Sequence, residues 1–198
     1  MRKVLVFGFF IFSFFLSKAQ EKDPLKFSGF EISAGKGPVT SGLYGYINFE
    51  NSKSLTFITL SNEDNELTYL RKIGRKKNFL IGPNVGYFFN VPYVSYMATY
   101  QPSKYVSFLS WTGVFFGDPR VEKLGKIQFG LSAQQINLYI WRFQGSHTLI
   151  NYMDGNTINT TALKYIHKID KKFSAYTEAG WDFKNNTQLL RFGVVFKK

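Results

Sequence analysis

Polar and apolar residues alternate along most of the chain that follows residue 26. Near the C-terminus, Phe192 and Val194 share one face of an extended segment, and Arg191 and Gly193 lie on the other face. A period of two predicts β-strands that have one apolar and one polar face. Because no apolar spacing of three and four is sustained, we expect few helices.

The same alternation recurs in the middle of the chain. Ile81 and Val85 oppose Asn84 and Gly86, and Pro83 between them lacks an N–H donor. Because Pro cannot complete a strand ladder, we expect a bulge or a locally unpaired position there. A further segment places Ile127, Phe129, Leu131 and Ala133 opposite Gln128, Gly130, Ser132 and Gln134.

Turn-forming residues interrupt the alternation about every 13 to 18 positions, which is typical of successive antiparallel strands. Eleven turns would join twelve strands, and an even number lets the first strand pair with the last. Ten or eight strands are the alternatives, because the short segments Ser54–Ser61, Glu66–Ile73 and His147–Met153 could fuse with neighbours. The candidate turns are Gly37-Pro38, Asn51-Ser52, Asn62 to Asn65, Gly74 to Lys77, Asn90 to Pro92, Pro102-Ser103, Gly117 to Gly125, Gln144 to Ser146, Asp154 to Asn156, Asp170-Lys171 and Asn185-Asn186.

Two environments produce two-faced strands. In a soluble barrel the apolar face points at a core, whereas in an outer-membrane barrel it points at lipid and the inner face is polar. Here the polar faces carry mostly small or neutral groups, and Lys and Arg collect near the turns. Aromatic residues such as Phe115, Tyr139 and Trp181 lie near strand ends, as expected for girdles at membrane interfaces. The pattern therefore favours an all-β, antiparallel, up-and-down transmembrane β-barrel of twelve strands.

The N-terminal segment has the features of an export signal. Arg2 and Lys3 precede a 13-residue apolar run from Val4 to Leu16, and Ser17-Lys18-Ala19 provides small residues before a cleavage site. The run is shorter than the roughly 20 residues of a spanning helix. We expect residues 1–19 to be a cleaved signal peptide and residues 20–198 to form one barrel domain.

Composition limits the chemistry. The 198 residues contain no Cys, which excludes disulfides and thiolate metal sites. The formal net charge is +12, and 22 basic against 13 acidic side chains remain after the signal. Exported basic residues near turns suit the phosphates of outer-membrane lipid and lipopolysaccharide better than nucleic acid.

On these features the chain resembles the small outer-membrane β-barrel proteins of Gram-negative-type bacteria. The resemblance rests on the signal ending at Gln20, the alternation from Phe27 onward and the final segment from Leu190 to Phe196. In that class the last strand ends on an aromatic that the barrel-assembly machinery recognises. Phe196 matches this position, although Lys197 and Lys198 follow where the class usually stops. The resemblance implies a bacterial outer-membrane location and no particular activity.

The alternation assigns the two faces of the barrel. Lipid-facing side chains are expected at Phe173, Trp181, Phe183, Leu190, Phe192, Val194 and Phe196. Lumen-facing side chains are expected at Glu31, Asn84, Lys164, Tyr176, Glu178, Asp182 and Arg191, with Arg191 paired to the acids of the preceding strand. One long outer loop, Gly117 to Gly125, is the candidate for gating the mouth or touching a partner through Asp118, Pro119 and Arg120.

The chain offers little catalytic chemistry. His147 and His167 are the two histidines, and Ser146-His147 would point to opposite faces of a strand. We therefore expect no enzyme activity, cofactor or metal. The leading hypothesis is a structural or interaction role, as an accessory subunit of a cell-envelope complex that contacts other outer-membrane or periplasmic proteins. A narrow passive pore is the first alternative, and a soluble secreted barrel that binds an apolar ligand is the second.

Overall fold

The computed structural model describes residues 23–37, 41–61, 64–74, 78–88, 91–118, 123–152 and 157–198. The expected signal peptide and the loop residues Pro119 and Arg120 lie outside these described residues. Within the described ranges, no helix is long and apolar enough to cross a membrane.

Twelve strands form the fold, as the turn count predicts, and the short segments remain separate strands. The strands are β1 (Lys26–Lys36), β2 (Ser41–Glu50), β3 (Ser54–Ser61), β4 (Asp64–Ile73), β5 (Phe79–Phe88), β6 (Val91–Ser103), β7 (Val106–Asp118), β8 (Lys123–Ile140), β9 (Phe143–Tyr152), β10 (Thr157–Lys168), β11 (Phe173–Asp182) and β12 (Thr187–Lys197).

Each strand pairs antiparallel with its neighbours in sequence, and β12 pairs with β1 to close the barrel. At this seam Ile32 faces Val194 and Ser33 faces Gly193. The ladder ends with the N–H of Lys198 donating to the carbonyl of Ser28 at 3.0 Å. Closure gives the first and last strands hydrogen-bonding partners on both sides.

The two faces separate as the alternation predicts along β12. Leu190, Phe192 and Val194 point outward and are 46%, 54% and 41% exposed. Gly193 points inward, where the ring of Tyr176 covers it so closely that a Cβ there would lie 2.5 Å from ring carbons. Glycine at this position therefore makes room for an aromatic ring on the inner face.

Pro83 interrupts one ladder, as its missing donor predicts. It pairs with Tyr96 on β6. On the β4 side, the ladder is interrupted between the pairs Thr68–Asn84 and Arg71–Ile81. Pro83 thus lies inside β5 and is tolerated because the pairing is broken on one side.

The turn expected at Gln144 to Ser146 is wrong. Those residues belong to β9, and Gly145 pairs with Leu138 and Leu163 on the neighbouring strands. The chain turns at Trp141 and Arg142 instead, with Trp141 at φ 53°. Gln-Gly-Ser has the composition of a turn, but two intact ladders hold it extended.

The long outer loop is also shorter than expected. Gly117 pairs with Leu124, and Asp118 is the last residue of β7, paired with Lys123. Asp118 therefore belongs to a strand, and only residues 119–122 separate β7 from β8. Backbone pairing continues past Gly117, which was part of the expected loop.

The faces assigned to β8 are reversed near its centre. Ala133 points inward and is 7% exposed, whereas Gln134 is exposed on the outer face together with Ile136, Leu138 and Ile140. The apolar pattern changes phase at Gln134-Gln135, and a strand can keep only one phase between bulges. Because Ile136, Leu138 and Ile140 all point outward, Gln134, which has the same phase, points outward as well.

The register of the seam can be tested by cross-linking, because the chain contains no cysteine. Ile32 and Val194 are direct cross-strand partners, and such pairs lie within the range of a disulfide. We expect the double variant Ile32→Cys/Val194→Cys to oxidise into a cross-linked band on non-reducing gels.

The control is Ile32→Cys/Leu190→Cys, because Leu190 pairs with Lys36 further along the same outer face. It should remain largely uncross-linked. Equal oxidation of the two variants would contradict the register.

Candidate functional site in the barrel interior

One cluster of inward side chains joins β1, β10 and β11. The hydroxyl of Tyr176 donates to the carboxylate of Glu31, which is 145 residues away in sequence. The ammonium of Lys164 lies 3.9 Å from Glu31 Oε1 and 3.9 Å from the centre of the Tyr176 ring. The closed barrel thus brings together three of the residues expected in the lumen, and it neutralises the two charges.

A second ion pair lies beside this cluster. Glu178 and Arg191 are cross-strand partners, and Arg191 Nη1 lies 3.6 Å from Glu178 Oε2. The guanidinium also lies 5.3 Å from the ring centre of Tyr44. The expected pairing of Arg191 with an acid of the preceding strand is present for Glu178.

Asp182, the other acid expected in the lumen on β11, accepts hydrogen bonds from main-chain groups and from Asn185. It is fully buried at the end of β11, and its Oδ1 accepts hydrogen bonds from the N–H groups of Asn159 and Lys184, each at 3.1 Å. Its Oδ2 accepts from Asn185 Nδ2 at 2.6 Å. Asp182 therefore organises the turn between β11 and β12.

Glu66 is the centre of a third polar cluster, on the opposite wall of the barrel. It is 9% exposed and accepts hydrogen bonds from Thr59 Oγ1 at 2.9 Å and from Asn84 Nδ2 at 2.7 Å. The hydroxyl of Tyr93 donates to it as well. Three donors from β3, β5 and β6 compensate for the burial of this carboxylate.

An inner apolar cluster adjoins this polar group at the end of the barrel away from the termini. Val91, Tyr93 and Phe115 are at most 3% exposed. The Tyr93 ring lies 5.4 Å from that of Phe115 and 5.9 Å from that of Trp111, measured between ring centres. Partly buried residues packed around the three are Phe88, Trp111, Ile150 and Tyr152.

Sequence reasoning missed these inward aromatics. Phe115 and Tyr139 were expected at a membrane girdle, but both point inward, and the Tyr139 hydroxyl lies 3.1 Å from Ser107 Oγ. Phe115 shares its phase with Trp111, Gly113 and Gly117 on β7. Glycines alternating with aromatics were the signal that could have marked this as an inner face.

The residues expected to face lipid lie on the outer face or at its edge. Phe196 contacts Phe27, Phe30 and Phe173, with ring centres 6.1, 5.4 and 4.9 Å away. Trp181 is partly exposed on β11, and Phe183 follows that strand and is 63% exposed.

The outer face also carries a polar band across β7 to β10. His147 is exposed there, and its Nδ1 lies 3.0 Å from Thr161 Oγ1. Ser146 points to the inner side, as expected for the neighbour of an outward His147. The other exposed members of the band are Ser110, Thr112 and Gln134.

Among the described residues, no group of three or more His, Cys, Asp or Glu side chains could hold a metal ion. The carboxylates of the interior are occupied by Lys, Arg, Tyr, Asn and Thr donors. The interior is thus built for compensated charge.

Comparison with solved structures finds this barrel architecture among porins. The KdgM porin superposes with a TM-score of 0.54 at 13% identity, over 87% of this chain and 99% of that chain. The structure described as the KdgM porin in complex with disordered oligogalacturonate gives 0.54 at 11%, over 87% and 99%. The NanC porin gives 0.54 at 10%, over 86% and 100%.

No protein-family model matches the chain, and no curated protein sequence matches it. At 10% to 13% identity the likeness to porins shows the fold. The chain therefore shares its barrel fold with these porins.

The Glu66 cluster predicts a stability effect. Glu66→Ala would leave the donors of Thr59, Asn84 and Tyr93 without their shared acceptor, so we expect a loss of about 1–3 kcal/mol in the free energy of unfolding. The measurement is urea unfolding in lipid vesicles, followed by tryptophan fluorescence.

Glu50→Ala is the matched control, because the Glu50 side chain is 48% exposed where it pairs with Lys72. Exposed pairs contribute less than about 1 kcal/mol. An equal loss in both variants would contradict the role assigned to Glu66.

Proposed function

We propose that the protein is a narrow passive channel of the bacterial outer membrane. The observation that carries the proposal is the closed twelve-stranded barrel with polar, charge-compensated side chains on its inner face. The porin fold of the similar structures supports it. The accessory-subunit role, which the sequence placed first, gains no support from these comparisons, and the pore hypothesis fits them better.

The strand number determines the width that the backbone leaves open. Strands about 4.8 Å apart and tilted near 40° close at a backbone diameter of roughly 24 Å when there are twelve of them. Inward side chains reduce this to roughly 10–12 Å. Such a width admits water, ions and small solutes.

The inner apolar cluster places bulky side chains on the wall of this channel. Val91, Tyr93 and Phe115 place bulky apolar groups on one part of the wall, near the end opposite the termini. Apolar constrictions disfavour hydrated ions. We therefore assign the main restriction on flow to this level.

The outward side chains support the outer-membrane location. Large apolar residues are exposed on many strands, and these include Ile32, Leu43, Val94, Phe108, Leu163 and Phe192. A soluble secreted barrel would place such residues inside and charges outside. The polar lumen also argues against that barrel and its apolar ligand.

An interaction role is the second candidate function, and the polar band around His147 and Thr161 is the observation that favours it. Polar groups on a lipid-facing surface are unfavourable without partners. A neighbouring protein that covers the band could provide hydrogen-bonding groups. Co-purification from native membranes in mild detergent tests for such a partner.

Single-channel recording tests the pore. Refolded protein in a planar bilayer should give defined current steps, and Phe115→Ala should enlarge them because it removes an inward ring from the apolar cluster. Phe108→Ala is the control, since Phe108 lies on the same strand but points outward and is 42% exposed. Circular dichroism checks that both variants fold.

If the folded wild-type protein gives no current steps, this result would contradict the pore and favour the interaction role. Current steps of equal size from Phe115→Ala and the wild type would contradict the constriction assigned to Phe115.

Charged substitutions test the membrane location. Phe192→Arg and Val194→Lys should each cost about 2–4 kcal/mol if their positions lie near the middle of the bilayer. Phe183→Arg should cost only about 0–1 kcal/mol, because Phe183 lies beyond the end of β11. Unfolding in lipid vesicles measures the three free-energy changes. An unchanged free energy of unfolding in Phe192→Arg would contradict contact between Phe192 and lipid.

A further inference from the structure

The end of the barrel that carries the termini has a basic groove at its rim. The groove has a volume of about 770 Å³ and lies between the β8–β9 turn, the β10–β11 turn and the end of β12. We call it the rim groove. Its basic side chains are Arg142, Lys168, Lys171, Lys172 and Lys197.

Asp170 is the acidic side chain among the described residues that line the rim groove. Its Oδ1 accepts hydrogen bonds from the N–H groups of Phe173 at 2.7 Å and Lys172 at 2.6 Å. These bonds hold the pKa of the Asp170 carboxyl below its usual range, so it stays ionised and tied to its own turn. Five positive charges against one negative leave the groove strongly electropositive.

Main-chain hydrogen bonds fix the walls of the rim groove. The N–H of Lys197 donates to the carbonyl of Lys172 at 2.9 Å, and the N–H of Ile166 donates to that of Arg142 at 2.8 Å. The two turns and the last strand are therefore held together before any ligand arrives. The backbone thus keeps the five basic residues around one groove, and clustered charge of one sign attracts an oppositely charged solute.

The groove opens toward the lumen. Lys168 and Ser174 are cross-strand partners on the inward phase of β10 and β11, whereas the lipid-facing residues have the other phase. Trp141 also lines the groove and is 83% exposed, with the Arg142 guanidinium 4.8 Å from its ring centre. A ligand in the groove would lie at the channel mouth, beside a tryptophan.

We propose that the rim groove binds a soluble, multiply charged anion that carries phosphate or carboxylate groups. The inward phase of Lys168 and Ser174 favours a solute at the mouth over a lipid headgroup on the outer wall. The site would concentrate anions at one end of the channel and make its response to them asymmetric. Only this asymmetry rests on the proposed pore; binding itself does not.

Inorganic tripolyphosphate is the probe, and calorimetry on the full-length protein in phosphatidylcholine nanodiscs measures its affinity. We expect Lys168→Gln/Lys171→Gln/Lys172→Gln to weaken binding at least about tenfold, which corresponds to about 1.4 kcal/mol. Rising salt should weaken binding to the wild type.

The matched control is Lys26→Gln/Lys53→Gln/Lys104→Gln, which removes the same charge at the same end of the barrel but outside the groove. It should retain wild-type affinity within about threefold. The six lysines are in turns or at strand ends, so both proteins should fold, which circular dichroism checks. Equal weakening of the two variants, or no weakening of the first, would overturn the groove as the site.

Two further measurements separate the alternatives. If phosphatidylglycerol co-purifies with the wild type and not with Lys168→Gln/Lys171→Gln/Lys172→Gln, the groove takes a lipid headgroup and the proposal is overturned. In planar bilayers, tripolyphosphate should reduce current only from the side of the termini. Binding of tripolyphosphate without any channel current would contradict the proposed function and support the binding site. Channel current without binding would support the proposed function and overturn the binding site.

Discussion

The pairing of the first strand with the last is the constraint on which the rest of the structure depends. In hydrocarbon each backbone N–H and C=O needs a partner within the protein, because no water is present to provide one. The β1–β12 seam gives both terminal strands such partners. Once the sheet is closed, each residue of a strand faces either the inside or the outside, and the alternation along the chain becomes a division between two environments.

Closure also makes charge compensation possible on the inner face. Glu31 and Tyr176 are far apart in sequence, but β12 alone lies between their strands, so they can form a hydrogen bond. Glu66 collects donors from three other strands in the same way. Glu31 and Glu66 thus find partners on nearby strands, and this lets a polar interior persist without the penalty of isolated buried charge.

The two ends of the barrel differ, and the difference bears on function. Aromatic and aliphatic side chains crowd the inner wall at the end away from the termini, around Phe115. Basic side chains surround the mouth at the other end, around Lys172. A solute crossing the barrel from the side of the termini would meet the electropositive rim groove first and the inner apolar cluster afterwards. Such an arrangement suits a channel whose two sides are not equivalent.

The sequence by itself determined the architecture. Period-two alternation and eleven turn signals predict twelve antiparallel strands, and β12 displays the predicted faces residue by residue. These features are local, because alternation reports the two environments of a strand and turn residues report backbone conformation. Pro83 shows the same: its missing donor alone predicts the broken ladder beside it.

Only the tertiary structure decided the places where ladders override local composition. Gln144 to Ser146 has the residues of a turn, yet pairing on both sides keeps it in β9, and Trp141 adopts the left-handed conformation instead. The phase of β8 was settled by three aliphatic residues and a register shift opposite Gly113, which no local pattern encodes. The partners of Glu66 and the five cations of the rim groove come from different strands and turns. Their proximity follows from register, which a closed barrel fixes through all of its ladders at once.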